Sequence, residues 1–199
     1  MLGEKDVLPE VSTSPKRSLS NIKIYDSVKQ VPSSPAAAMV LGLAGLIPFA
    51  ASPYLMISSG HFLPDIAIYQ TFYGATILSF LGGVRWGFTV PSNSPQNPDI
   101  TNLGYSVVPQ LWGCGSLVLG HYMECIVVAN VGVMLGLAIT GYMDLSMAGY
   151  PVWFKGLRFC LTVGALLSLF SVLACKFILL EKIKNKTELE IEGNNVESQ

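Results

Sequence analysis

Residues 66–88 read IAIYQTFYGATILSFLGGVRWGF, twenty-three positions with a single charge, Arg85, and apolar side chains distributed over every face of a helix. A helix that borders water keeps a polar stripe at a period near 3.6 residues. Here the polar residues before Arg85 are few and weak: Gln70, Thr71, Thr76 and Ser79. In water this segment would strand on the order of several hundred Å² of apolar surface. A largely apolar run of about 18 residues is instead what ~30 Å of hydrocarbon requires.

The same pattern extends outward in both directions. Of the chain's charged residues, 18 lie before residue 30 or after residue 175, and the stretch between carries only Asp65, Arg85, Asp99, Glu124, Asp144, Lys155 and Arg158. Residues 30–64, 66–84, 100–123, 125–143 and 159–175 contain no Asp, Glu, Lys or Arg. Only 13% of the chain is charged, against roughly a quarter in soluble domains. The expected fold is all-α: a polytopic integral membrane protein whose transmembrane domain, residues 36–180, is a five-transmembrane-helix bundle. The helices are expected at about 36–57, 66–88, 103–119, 125–142 and 152–180.

Pro48 and Pro53 fall inside the first span, so a break is expected near residues 48–53. The carbonyls freed there need partners from neighbouring helices, because lipid offers none. PSNSPQNPDIT, residues 91–101, cannot continue a helix and reads as a loop. GHYMEC, residues 120–125, is so short that the third and fourth helices form an antiparallel hairpin. Residues 1–35 mix Ser, Pro and charges without a sustained period and read as a disordered polar N-terminal tail. Their opening, MLGEKDVLPE, lacks the basic-then-apolar order of a secretory signal. Residues 181–199 form a polar C-terminal tail, with the last helix fraying through EKIKNK.

Orientation rests on basic residues. Lys16, Arg17, Lys23, Lys29, Arg85, Lys155 and Arg158 fall on the N-terminal side, against Lys176, Lys182, Lys184 and Lys186 on the other. That balance places the amino terminus in cytosol or matrix. A sequon at Asn185-Lys186-Thr187 would then face the opposite compartment.

Few groups could carry function. Ala75, Ser79, Gly83 and Gly87 recur every four residues, and Gly132, Gly136 and Thr140 repeat the device. Small residues at this spacing let helices approach closely in a membrane, so the second and fourth helices are expected to meet along these faces. Arg85 must snorkel, pair or face a cavity. It is expected either to pair with Asp144, or with Asp99, or to reach lipid phosphate with Trp86 as an interfacial anchor. Asn130 reads as an interhelical hydrogen-bonding residue.

His61 with Asp65, and His121 with Glu124, could in principle bind zinc, but the spacing is unspecialised and a solvated turn is the simpler reading. Cys114, Cys125, Cys160 and Cys175 lie in apolar spans without CxxC spacing and read as packing residues. No metal or cofactor is expected. Net charge is −1 and basic residues do not interleave with aromatics, which excludes a nucleic-acid binder. No GxSxG, HExxH, Walker loop or dinucleotide fingerprint occurs.

YGATILSFLGGVRWG at 73–87, YSVVPQL at 105–111 and PVWFKGLRFCLTVGALLSL at 151–169 together resemble the transmembrane protein 69 family of eukaryotes and its bacterial relatives of unknown function. The resemblance implies a five-helix membrane domain over roughly residues 37–180. It also implies that Arg85 and Trp86 belong to the recognisable motif and that Trp153 and Arg158 stand at the entrance to the last helix. For eukaryotic members it implies the mitochondrial inner membrane, although the acidic early residues here depart from an imported leader. No activity comes with it. The expected role is a non-enzymatic accessory or assembly protein of an organelle membrane. Its partners are the lipid bilayer and other membrane-protein helices, or a second copy of the chain. A small solute or anion transporter or channel is the second reading and a membrane enzyme the third.

Overall fold

The computed structural model describes residues 24–197. Its elements are α1 (Ile24–Lys29), a short 3-10 turn (Val31–Ser33), α2 (Ala36–Ala44), α3 (Ile47–Ser59), α4 (Pro64–Thr89), α5 (Ile100–Tyr122), α6 (Ile126–Ser146) and α7 (Val152–Glu197). Local chemistry sets most of the boundaries. Gly60 ends α3 in the left-handed conformation at φ 68°. Pro64 and Asp65 then open α4, where a missing N–H costs nothing and a negative charge faces the helix dipole. Asp99 caps α5, its Oδ1 accepting from the Asn102 N–H at 2.7 Å.

The first expected span is two helices. The break falls at Gly45–Leu46, earlier than the two prolines, because Pro48 takes the first turn of α3, where its ring is tolerated. Pro53 sits inside α3 and withholds the N–H that would have bonded Phe49. Helix α4 supplies the partner for Phe49 and a second one for Gly45 at the break. Gln70 Nε2 donates to the Phe49 carbonyl at 2.8 Å, and the Tyr73 hydroxyl donates to the Gly45 carbonyl at 3.0 Å.

Both expected tails need correction where they are described. Residues 24–29 are helical and lie against α7: Gly156 has no side chain, and a Cβ there would collide with the Ser27 carbonyl. At the other end α7 continues as helix through EKIKNK, where the sequence predicts fraying, and on to Glu197. Residues 1–23 of the expected N-terminal tail lie outside the described residues.

Helices α3, α4, α6 and α7 surround a core of Phe49, Leu78, Leu81, Val133, Leu137 and Leu169. A second cluster, Met56, Ala67, Val172 and Cys175, closes the end near the α3–α4 turn. The most extensive helix pair is the antiparallel α4 and α5. Polar groups lie inside and large apolar ones outside. Gln70, Thr71, Arg85, Asn130, Asp144 and Arg158 are all buried, while Leu41, Ile57, Phe80 and Phe177 point outward, Leu41 with 72% of its surface uncovered. In water that arrangement would be inverted, since soluble proteins bury such apolar groups first.

Candidate functional site

The helix ends that converge at the α6–α7 turn hold a buried ionic cluster. Asp144, in the last turn of α6, accepts from Arg158 Nε of α7 at 2.9 Å, with both side chains about as buried as core residues. Arg158 Nη1 donates to the Thr162 hydroxyl at 3.0 Å, and that hydroxyl donates in turn to the Arg158 carbonyl at 2.8 Å. Two charges removed from water hold together only if such hydrogen bonds complete their shells.

Arg85 enters from α4. It is 4% exposed, its guanidinium lies 5.2 Å from the centre of the Tyr105 ring on α5, and its charge acts on the Asp144 carboxylate. The Asp144 carboxylate forms a salt bridge to Arg158 that ties α6 to α7, and Arg85 brings α4 into the same cluster. Asp99, the other expected partner of Arg85, caps α5. Trp86 is 45% exposed on the outer face, where an interfacial anchor belongs.

A lid of loop and aromatics covers the cluster. Gln96 Nε2 donates to the Ala148 carbonyl at 2.9 Å and Ser94 to the Phe88 carbonyl at 2.7 Å. Pro95 packs over Gly149, whose φ of 92° suits a residue without a side chain. Tyr150 sits between Phe88, tilted against it at 4.6 Å, and Phe154, edge to face at 4.9 Å. Burial, with the Asp144 charge adding to it, pushes the Tyr150 phenol up to about 12.

The small-residue faces divide differently from the expectation. A Cβ on Gly136 would strike Leu78 of α4 and Trp112 of α5, and one on Gly132 would strike Ser116 of α5. Ala75 packs against Gly113 of α5. Thr140 is buried and bonds back to the Gly136 carbonyl at 2.7 Å. On α4, however, the residues of closest approach are Gly74, against Val133 of α6, and Gly82, against the Ser106 carbonyl of α5. Ser79, Gly83 and Gly87 face outward, and nothing lies within 4 Å of where a Cβ would stand on either glycine. Helices α4 and α6 do meet, through Gly74 and Leu78 on α4 and Val133 and Gly136 on α6, while Gly83 and Gly87 lie on the outward side of α4.

Asn130 is fully buried, yet neither its Nδ2 nor its Oδ1 has a hydrogen-bond partner among the described residues, which corrects its reading as an interhelical donor. His61 bonds the Ser59 carbonyl at 2.7 Å in the α3–α4 turn, while His121 and Glu124 lie at the α5–α6 turn. Among the described residues no three His, Cys, Asp or Glu side chains gather as metal ligands. The sequence reasoning missed Gln70 and Tyr73. The signal for Gln70 lay four residues before Pro53, at the carbonyl that a helical proline frees, whereas Tyr73 answers the Gly45 carbonyl at the break between α2 and α3.

Among the described residues three stretches, Ala36–Ser59, Ile126–Ser146 and Val152–Lys182, are long and apolar enough to cross a membrane. With polar groups inside and apolar groups outside, the fold and its buried ionic cluster define a multi-pass α-helical membrane protein. The family described as "Protein of unknown function (DUF3429)" matches residues 34–174, and the chain belongs to that family. It is homologous to "Transmembrane protein 69" of Xenopus tropicalis, 49% identical over 146 residues, which is 73% of this chain and 56% of that protein. The mouse protein of the same name, from Mus musculus, is 41% identical over 150 residues, 75% of this chain and 60% of that protein. The aligned region thus spans less than two thirds of the length of these relatives. No solved structure matches the chain.

Proposed function

We propose that this chain is a non-enzymatic accessory or assembly protein that crosses an organelle membrane five times and receives another transmembrane helix on the outer face of α4. The observation that carries the reading is the open stripe of Thr76, Ser79, Gly83 and Gly87, exposed along one side of a helix whose opposite side is fully packed. Small residues at this spacing let a second backbone approach closely where the hydrophobic effect gives no help. The five crossings are supported by length: α4 and α5, with 26 and 23 residues, would extend about 39 and 34 Å at 1.5 Å per residue. Their Gly, Ser, Thr and Gln residues lower hydropathy because these helices face protein as well as lipid. The family resemblance supports the mitochondrial inner membrane as the compartment.

The transport reading is weaker. A broken helix can offer free carbonyls to a solute, but here Tyr73 occupies the Gly45 carbonyl at the break and Gln70 the Phe49 carbonyl that Pro53 frees. The enzyme reading would have to recruit His61 and His121 from separate turns. Affinity purification in mild detergent separates the three, comparing the native chain with Gly83→Leu. Docking predicts a stoichiometric partner, or a second copy, that the variant loses while remaining folded. An unchanged partner set, a lone oligomer that moves solute in liposomes, or a bound metal would each contradict it.

A further inference from the structure

A cavity of about 590 Å³ lies at the α5–α6 turn, with α4 and α7 completing its wall, within the ~300–1,000 Å³ typical of ligand sites. It stands at a bilayer surface, where α5 ends at Tyr122 and α6 begins at Ile126. Lys176, its one residue from α7, lies about 36 Å along that helix from Val152 at 1.5 Å per residue, more than the ~30 Å of hydrocarbon. None of Thr76, Ser79, Gly83 or Gly87 lines it, so the cavity is separate from the docking stripe of α4.

Two opposite charges share this cavity with an apolar wall of Ile68, Phe72, Leu117 and Ala129. Lys176 is half-buried and has no carboxylate within 4.0 Å among the described residues. Helix α6 starts beside the cavity without a side-chain cap or an acidic residue in its first turn, which leaves the positive end of the helix unanswered. The Cys125 thiol, in the turn just before α6, registers that field. The Val128 and Val127 N–H groups and, against desolvation, the Lys176 charge hold it below the ordinary thiol range. Glu124 supplies the negative charge at a conformational cost: its φ of 50° is the one positive value at a non-glycine position among the described residues. The Cys125 N–H bonds the Gly120 carbonyl at 2.9 Å and the Glu124 N–H bonds the His121 carbonyl at 3.0 Å. That pattern ends a helix on a left-handed residue, usually glycine. The turn itself gives no reason for a glutamate, so the strain points to its exposed side chain, which lines the cavity.

We infer that this cavity holds the head of a phospholipid bearing a primary amine. Its phosphate accepts hydrogen bonds from Lys176 at the start of α6, its ammonium donates to the Glu124 carboxylate, and the upper part of an acyl chain lies along Ile68, Phe72 and Leu117. A choline head has no N–H for Glu124 and a glycerol head has no ammonium, so charge-assisted hydrogen bonding selects the ethanolamine type.

The test uses the purified full chain in phosphatidylcholine nanodiscs. Phosphatidylethanolamine, phosphatidylglycerol and phosphatidylcholine probes with the same photoreactive acyl chain are added in turn, and labelled peptides are mapped. The ethanolamine probe should label residues 68–72 and 117–129 saturably, about tenfold more tightly than either other probe. Lys176→Gln should weaken that binding about tenfold. Glu124→Gly should leave the protein as stable or more so, because glycine takes this φ freely, yet make the ethanolamine and choline probes bind equally. Labelling that never saturates, that the choline or glycerol probe equals in the native chain, or that is undiminished by Lys176→Gln would overturn the inference. So would a preference for ethanolamine that persists in Glu124→Gly.

Discussion

The Gln70 side-chain amide donates at 2.8 Å to the Phe49 carbonyl, the acceptor that Pro53 leaves empty one turn further along α3. A flaw in one helix is thereby repaired by its neighbour, as a bilayer demands of any exposed backbone group. Gln70→Leu should destabilise the protein by about 0.5–2 kcal/mol. In a Pro53→Ala background, where the backbone N–H of residue 53 can bond Phe49 directly, the same change should cost much less. Thermal unfolding in detergent across this double-mutant cycle measures the coupling, and additive effects would show that the amide is not the proline's complement.

The ionic cluster predicts that Asp144 and Arg158 are strongly coupled. Arg158→Gln strands the Asp144 carboxylate and should cost roughly 3–5 kcal/mol, whereas Arg158→Gln with Asp144→Asn should recover much of that loss. Thermal unfolding in detergent across this cycle measures the coupling, and additive effects of the two substitutions would contradict the geometry.

Two adjacent glycines should respond in opposite directions. Gly83→Ala meets open space and should be neutral or stabilising by about 0.5–1 kcal/mol through helix propensity. Gly82→Ala would drive its methyl into the Ser106 carbonyl and separate α4 from α5. Melting temperatures of the two variants side by side decide the register of the α4 face.

At Tyr150 the fold holds the phenol proton more tightly than an open chain does, with a value of about 12 against the ordinary 10.0. Stability is therefore complete below about pH 10 and falls as the pH rises toward about 12. Tyr150→Phe should remove that slope. Phenolate absorbance, followed with unfolding across this window, checks both the value and the sign.

Asn130→Leu replaces a fully buried amide that has no partner with an apolar group of similar size. It should raise stability by about 1–3 kcal/mol. A loss would mean that the amide holds a buried water.

Helices were legible in the sequence because lipid imposes a length and forbids charge, and these constraints survive without any knowledge of packing. Which face of each helix turns inward was not. In a bilayer both faces are apolar, so no amphipathic period marks the core, and Gly83/Gly87 looked as good a packing pair as Gly74/Gly82. The break at Gly45 was displaced from the prolines because Pro48 is harmless in a first turn. Arg158 was visible only as a basic residue near a span end, and its pairing with Asp144 depends on the angle at which α7 returns past α6.

The crossing number can be read from cysteines placed one at a time in an otherwise cysteine-free chain, at His61, Asn93, Glu124 and Ala148, and labelled on sealed vesicles with an impermeant maleimide. All four positions are exposed in the turns and loops between helices. With α4 and α5 both spanning, Asn93 and Ala148 react from one side, and His61 and Glu124 from the other. If only the three most apolar stretches cross, Asn93 will react together with His61 and Glu124, opposite Ala148, and the five-helix membrane domain is wrong.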